Sequence, residues 1–261
     1  MTDLQGNAGN PTADSRSDGA HRARMSGGIT ATTVLWSLLF FDALILLIAT
    51  GFLLLNIPFT LFNELFSLDV EVTIPAWYSS VKLLLLACLL AALSVSISAG
   101  PWPKWALLGT ALVFLAMSCD EAAAVHERLQ RAIDNRFPTG VTGYLDVGTI
   151  LAQVAIGLAG LAIAAFAVIT VMRTLQGIER GKIAFGAGFL LLGIGAVGID
   201  LPMKFLSLSA TGKELWAVLE EGCEMIGVTL MIYGVLQALA CAPVTLYLGA
   251  RLYSGASRPR D

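Results

Sequence analysis

The chain has 261 residues, of which 56% are hydrophobic and 13% charged, with a mean hydropathy of +0.77. That balance excludes an ordinary water-soluble globular domain and describes an all-α integral membrane protein in contact with the lipid bilayer. The net charge of −3 is too small to favour a nucleic-acid partner, and Cys88, Cys119, Cys223 and Cys241 lack the CxxC spacing of a zinc site or a disulfide framework.

Residues 1–30 are rich in Gly, Ser, Asn and Asp and carry almost no large apolar side chain. They cannot bury enough surface to fold alone, so a disordered cytoplasmic tail is expected. The apolar run from Thr33 to Asn56 follows. Its length exceeds the roughly 7 to 15 residues of a signal-peptide core, and it has no A-x-A-like cleavage site, so it reads as the first span. A bilayer core of about 30 Å needs about 20 apolar residues of helix. Further runs at 77–98, 104–126, 147–172, 183–205 and 214–240 meet that need. Residues 31–246 are therefore expected to form a domain of six transmembrane helices, with 247–261 a short cytoplasmic tail. The stretch between the first two spans is broken by Pro58 and Pro75 and reads as interfacial, with Trp77 and Tyr78 where an aromatic belt would place them.

The basic residues set the orientation. With the N-terminal tail inside, Arg16, Arg22, Arg24, Lys104, Arg173, Arg180, Lys182, Arg251, Arg258 and Arg260 face the cytoplasm, ten of sixteen. This positive-inside bias puts both termini of a multi-pass cell-membrane protein in the cytoplasm. The fourth and fifth spans, with "AIGLAGLAIAAFA" and "FGAGFLLLGIGAVG", are rich in small residues that let helices approach closely in lipid.

Ionisable residues inside spans cost roughly 2.5 to 3.5 kcal/mol each on insertion scales, so they face the bundle interior or water. Here they gather in the extracytoplasmic half. The third span reaches Asp120 and Glu121 near its outer end, the fifth reaches Asp200 and Lys204, the sixth carries Glu220, Glu221 and Glu224, and the second carries Lys82. At about 100° per residue, Glu220, Glu221 and Glu224 share one arc of the sixth helix. His126 points roughly 120° away from Asp120, so it joins the group only if the third helix bends or ends before it. Counting Glu127, seven acids stand against Lys82, Lys204 and Arg128. Protons, bound cations or a metal must neutralise the excess.

A carboxylate-rich site with one imidazole between facing helices suits a divalent metal, with iron, manganese or zinc favoured over copper. Asp120, Glu121, Glu220, Glu221 and Glu224 are the expected ligands, and His126 a ligand or its support. Lys82, Asp200 and Lys204 would balance charge or bind a substrate carboxylate. The di-iron carboxylate bundles add Glu-x-x-His pairs, which this chain lacks; its other histidine, His21, lies in the tail. No P-loop, GxGxxG, HExxH or GxSxG is present.

Structural roles compete residue by residue. Asp200 and Lys204 can pair at i, i+4, and Asp42 in the first span reads as an interior acid bonded to a hydroxyl on a neighbouring helix. The leading expectation is a membrane protein with an intramembrane metal centre, a metalloenzyme if chemistry occurs on it. The alternatives are a proton- or cation-coupled transporter or channel using the same acids, and an accessory subunit of a larger membrane complex, with homo-oligomers also compatible.

Overall fold

The computed structural model describes residues 30–55, 65–66, 73–97, 100–125, 128, 147–199 and 209–241, and the described residues contain helices and no strand. In chain order the helices are α1 (Ala31–Leu55), α2 (Ile74–Ser96), α3 (Pro101–Ala123), α4 (Val147–Thr174), α5 (Glu179–Gly193) and α6 (Ala210–Cys241), with a π-helical turn, Ile194–Ile199, continuing α5. Among the described residues four helices are long and apolar enough to cross a membrane: α1, α2, α3 and the Thr211–Cys241 part of α6. The described apolar part of α4, Ala162–Thr174, and the 15-residue α5 are shorter.

Local chemistry sets the helix ends. Pro75 and Pro101 sit in the first turns of α2 and α3, where a missing N–H costs nothing. Between α4 and α5, Gly177 takes a φ of 86°, and the Ile178 N–H donates to Leu175 O at 3.0 Å, so the basic "RTLQGIERGK" segment is a tight turn. At the other end of the bundle α3 stops because Ala124 adopts a left-handed conformation, φ 52° and ψ 41°. An alanine there is strained by about 1 to 2 kcal/mol. The third helix therefore ends before His126, which with Glu127 lies outside the described residues.

The bundle is organised around α6, which packs on α1, α2, α5 and the π-turn, while α2 with α3 and α5 with α6 form the two closest hairpins. Its core joins Leu86, Leu90 and Leu93 of α2, Leu107 and Phe114 of α3, Val171 and Leu175 of α4, Phe185 of α5, and Met231, Ile232 and Val235 of α6. The outer faces are equally apolar. Trp36, Phe40 and Leu47 of α1, Trp102 and Leu112 of α3 and Ile183 of α5 are exposed. A water-soluble chain would not leave so much apolar surface uncovered, and these faces are consistent with a multi-pass protein in lipid.

The α5/α6 hairpin has an explicit register. Gly181, Gly188 and Gly195, seven residues apart, face Gly234 O, Gly227 O and Glu220 O, an antiparallel pairing with backbones in contact. A Cβ on Gly234 would stand 2.6 Å from Gly181 O and 2.9 Å from the Phe185 Cβ. The fifth run does not continue as one α-helix: from Ile194 it widens into the π-turn where Gly195 meets Glu224, and Asp200 and Lys204 lie outside the described residues.

Candidate functional site

Two ionisable groups stand next to each other inside the bundle, one tightly bonded and the other acidic. The bonded group lies halfway along the helices. Asp42 is the twelfth residue of the 25 in α1, and Met225 the sixteenth of the 32 in α6. Lys82 donates to Asp42 Oδ1 at 2.7 Å and to the Met225 carbonyl at 2.8 Å, and the Thr229 hydroxyl donates to Asp42 Oδ2 at 2.7 Å. The side chains of Lys82 and Asp42 are 2% and 1% exposed. Lys82 Nζ also stands 4.5 Å from the centre of the Tyr78 ring, which adds a cation–π contact, and the Tyr78 hydroxyl donates to Leu38 O at 3.2 Å.

Each charge is thus met by its opposite and by neutral dipoles. Isolating either would be costly, since an uncompensated buried charge destabilises by about 3 to 5 kcal/mol. The hydroxyl expected beside Asp42 is that of Thr229, but the lysine is an addition that sequence spacing does not show. Lys82, read from sequence as a counter-charge for the outer acids, is bonded to Asp42 instead. Tyr78 differs as well: Trp77 is exposed as an interfacial aromatic would be, whereas Tyr78 turns inward to cover the ion pair.

The acidic group lies beside this pair. Glu221 interacts electrostatically with Glu224, Glu121, Glu220 and Lys82, so acids of α3 and α6 and the lysine of α2 share one field. The carboxylates on α6 do not all face the same neighbour. Glu224 packs its Cγ against Gly195 at the start of the π-turn, on the α5 side, whereas Glu221 lies one turn from Met225, on the side of Lys82. Asp120 and Glu121 are partly buried at the end of α3.

A hydroxyl clip fixes α2 against α3 near this group. The Ser80 hydroxyl donates to Ser118 O and the Ser118 hydroxyl to Ser80 O, both at 2.8 Å. The reciprocal bonds fix the two antiparallel helices at one level, with Lys82, two residues past Ser80, on one side of the clip and Glu121, three residues past Ser118, on the other. The Ser118 hydroxyl is thereby committed to a structural contact. Thr229 carries no sequence signal beyond a polar atom in an apolar span.

Among the described residues no three His, Cys, Asp or Glu side chains stand close enough together to hold one metal ion. Of the expected ligands, Asp120, Glu121, Glu220, Glu221 and Glu224 are among the described residues, and His126 is outside them. The arrangement places acids of α3 and α6 within the electrostatic reach of the buried Asp42–Lys82 pair.

A family model described as a domain of unknown function (DUF8692) matches residues 22–239, and the chain belongs to that family. No curated protein and no solved structure matches the chain.

Proposed function

We propose that this family member is a six-span membrane protein with both termini in the cytoplasm, and that it moves positive charge as a proton- or cation-coupled transporter or channel. The observation that carries this reading is the Asp42–Lys82 pair, buried halfway along α1 and bonded to Thr229 and the Met225 carbonyl of α6. Ionisable residues at that depth are expensive and mark ion or proton pathways in membrane proteins. The acids Glu121, Glu220, Glu221 and Glu224 form the entrance, on the extracytoplasmic side in the orientation favoured by the basic residues.

Electrostatics links the two groups. Charges about 5 to 10 Å apart at an effective dielectric near 20 couple by about 2 to 3 kcal/mol. A cation arriving at Glu221 removes part of the field that competes with Asp42 for Lys82. Loading the entrance therefore tightens the existing Lys82–Asp42 bond, and unloading it loosens that bond. Such a coupled change in two sites is what a carrier requires.

The test is flux. Purified protein in liposomes, with internal dyes for pH and Na+, should dissipate an imposed H+ or Na+ gradient faster than empty vesicles, and Glu221→Gln should slow it. Equal rates in protein-containing and empty vesicles would remove the proposal. Metal analysis of the same preparation separates the metalloprotein reading: stoichiometric iron, manganese or zinc, lost in Glu221→Gln, would replace transport by a metal centre.

A further inference from the structure

The side chain that points to a ligand is Ser79. Among the described residues its hydroxyl, like that of Thr73 at the start of α2, is buried without a hydrogen-bond partner, and Ser79 is 8% exposed. Its neighbours on α2 are all satisfied: Ser80 is bonded to Ser118 of α3, Lys82 to Asp42 and Met225 of α6, and Tyr78 to Leu38. Leaving one buried hydroxyl unpaired is costly, since its desolvation is not compensated.

Helical phase tells where it points. At about 100° per residue, Ser79 lies roughly 100° from Ser80, which faces α3, and roughly 60° on the other side from Lys82, which faces α6. It is therefore directed into the seam between α3 and α6. Glu121 of α3 and Glu221 of α6 act on each other across that seam. The levels agree as well. Ser79 is three residues before Lys82 on α2, Glu221 is four before Met225 on α6, and Glu121 is three beyond the Ser118 contact on antiparallel α3.

We propose that this seam binds a small monovalent cation of the sodium class, with the Glu121 and Glu221 carboxylates and the Ser79 hydroxyl as oxygen ligands. A proton needs no hydroxyl ligand, whereas a hard alkali cation is held by hydroxyl and carboxylate oxygens together. Divalent hard cations take more carboxylates, and no third acid stands within joint ligating reach among the described residues. Soft metals would call for thiolate or imidazole. The inference rests on the cation-handling reading and names the ion.

The experiment is thermal unfolding of the full chain in detergent, titrated with NaCl against KCl and choline chloride at constant ionic strength, with CaCl2 as a separate arm. Sodium should raise the unfolding temperature of the wild type in a saturable way. Ser79→Ala should weaken that sodium response about tenfold or more. In choline alone Ser79→Ala should unfold no earlier than the wild type, because it removes an unpaired hydroxyl; a merely structural serine would show the opposite. Glu221→Gln should abolish the response. No sodium effect beyond that of choline, an unchanged response in Ser79→Ala, or a calcium response exceeding that of sodium each overturns the assignment. Sodium stabilisation without any gradient dissipation in liposomes would leave this site standing and remove the transport reading; dissipation of H+ without a sodium response would do the reverse.

Discussion

At the scale of single residues, the behaviour of the protein turns on how Asp42 and Lys82 are neutralised. The pair is fully bonded, so its two members are not equivalent to two independent polar residues. Replacing one leaves the other as an uncompensated charge, and either Asp42→Ala or Lys82→Met should cost about 3 to 5 kcal/mol in unfolding measurements in detergent. The double variant Asp42→Asn with Lys82→Met should recover most of that loss, because no charge remains buried. A double variant as unstable as the sum of the singles would show that packing, not charge, dominates. Thr229→Val should have a smaller effect of about 1 kcal/mol, the loss of one hydrogen bond to a carboxylate that keeps its lysine. Little of this was legible in the sequence. Asp42 and Lys82 are forty residues apart with no motif linking them, and only the bundle brings them together. The acids on α6 were legible because helical spacing puts Glu220, Glu221 and Glu224 on one arc, but their division between α5 and α2 depends on tertiary packing.

At the scale of elements, α5 and α6 are joined by backbone contact through spaced glycines, and the consequences differ from glycine to glycine. A Cβ at Gly188 meets the Gly227 carbonyl and the backbone and side chain of Met231, so Gly188→Ala should separate the hairpin at a cost of about 1 to 3 kcal/mol. Gly109, in the middle of α3, has nothing within 4 Å of an added Cβ. There Gly109→Ala should be neutral or stabilise by up to about 1 kcal/mol through helix propensity. If thermal unfolding showed both substitutions equally harmful, the register deduced for α5 and α6 would be wrong. Four of the expected spans, those of α1, α2, α3 and α6, were readable within a few residues, since hydropathy over about twenty residues is a strong signal. The end of α3 was not, because Ala124 takes a left-handed conformation without a glycine or proline to announce it. The π-turn after Gly193 was equally hidden, as nothing in "IGAVGI" separates a π-turn from an apolar helix.

At the scale of the whole molecule, the described helices turn large apolar side chains outward and bury the charges of Asp42 and Lys82, the inverse of a soluble domain. The proposed orientation makes a separate prediction. A single cysteine placed at Gln176, in the turn before Gly177, should react with a membrane-impermeant thiol reagent only in inside-out vesicles, and one placed at Ser209 only in right-side-out vesicles. These labels should be read in a background lacking Cys88, Cys119, Cys223 and Cys241. Labelling of both positions from the same side would contradict the six-span arrangement.

The central claim is that the mid-bundle ion pair works in charge movement and is not only a clamp between α1, α2 and α6. Gradient dissipation by the Asp42→Asn, Lys82→Met double variant in liposomes, compared with the wild type at equal amounts of folded protein, tests this most directly. The double variant should remain folded while its H+ or Na+ flux falls to the rate of empty vesicles; flux at the wild-type rate would show that the pair is only a clamp.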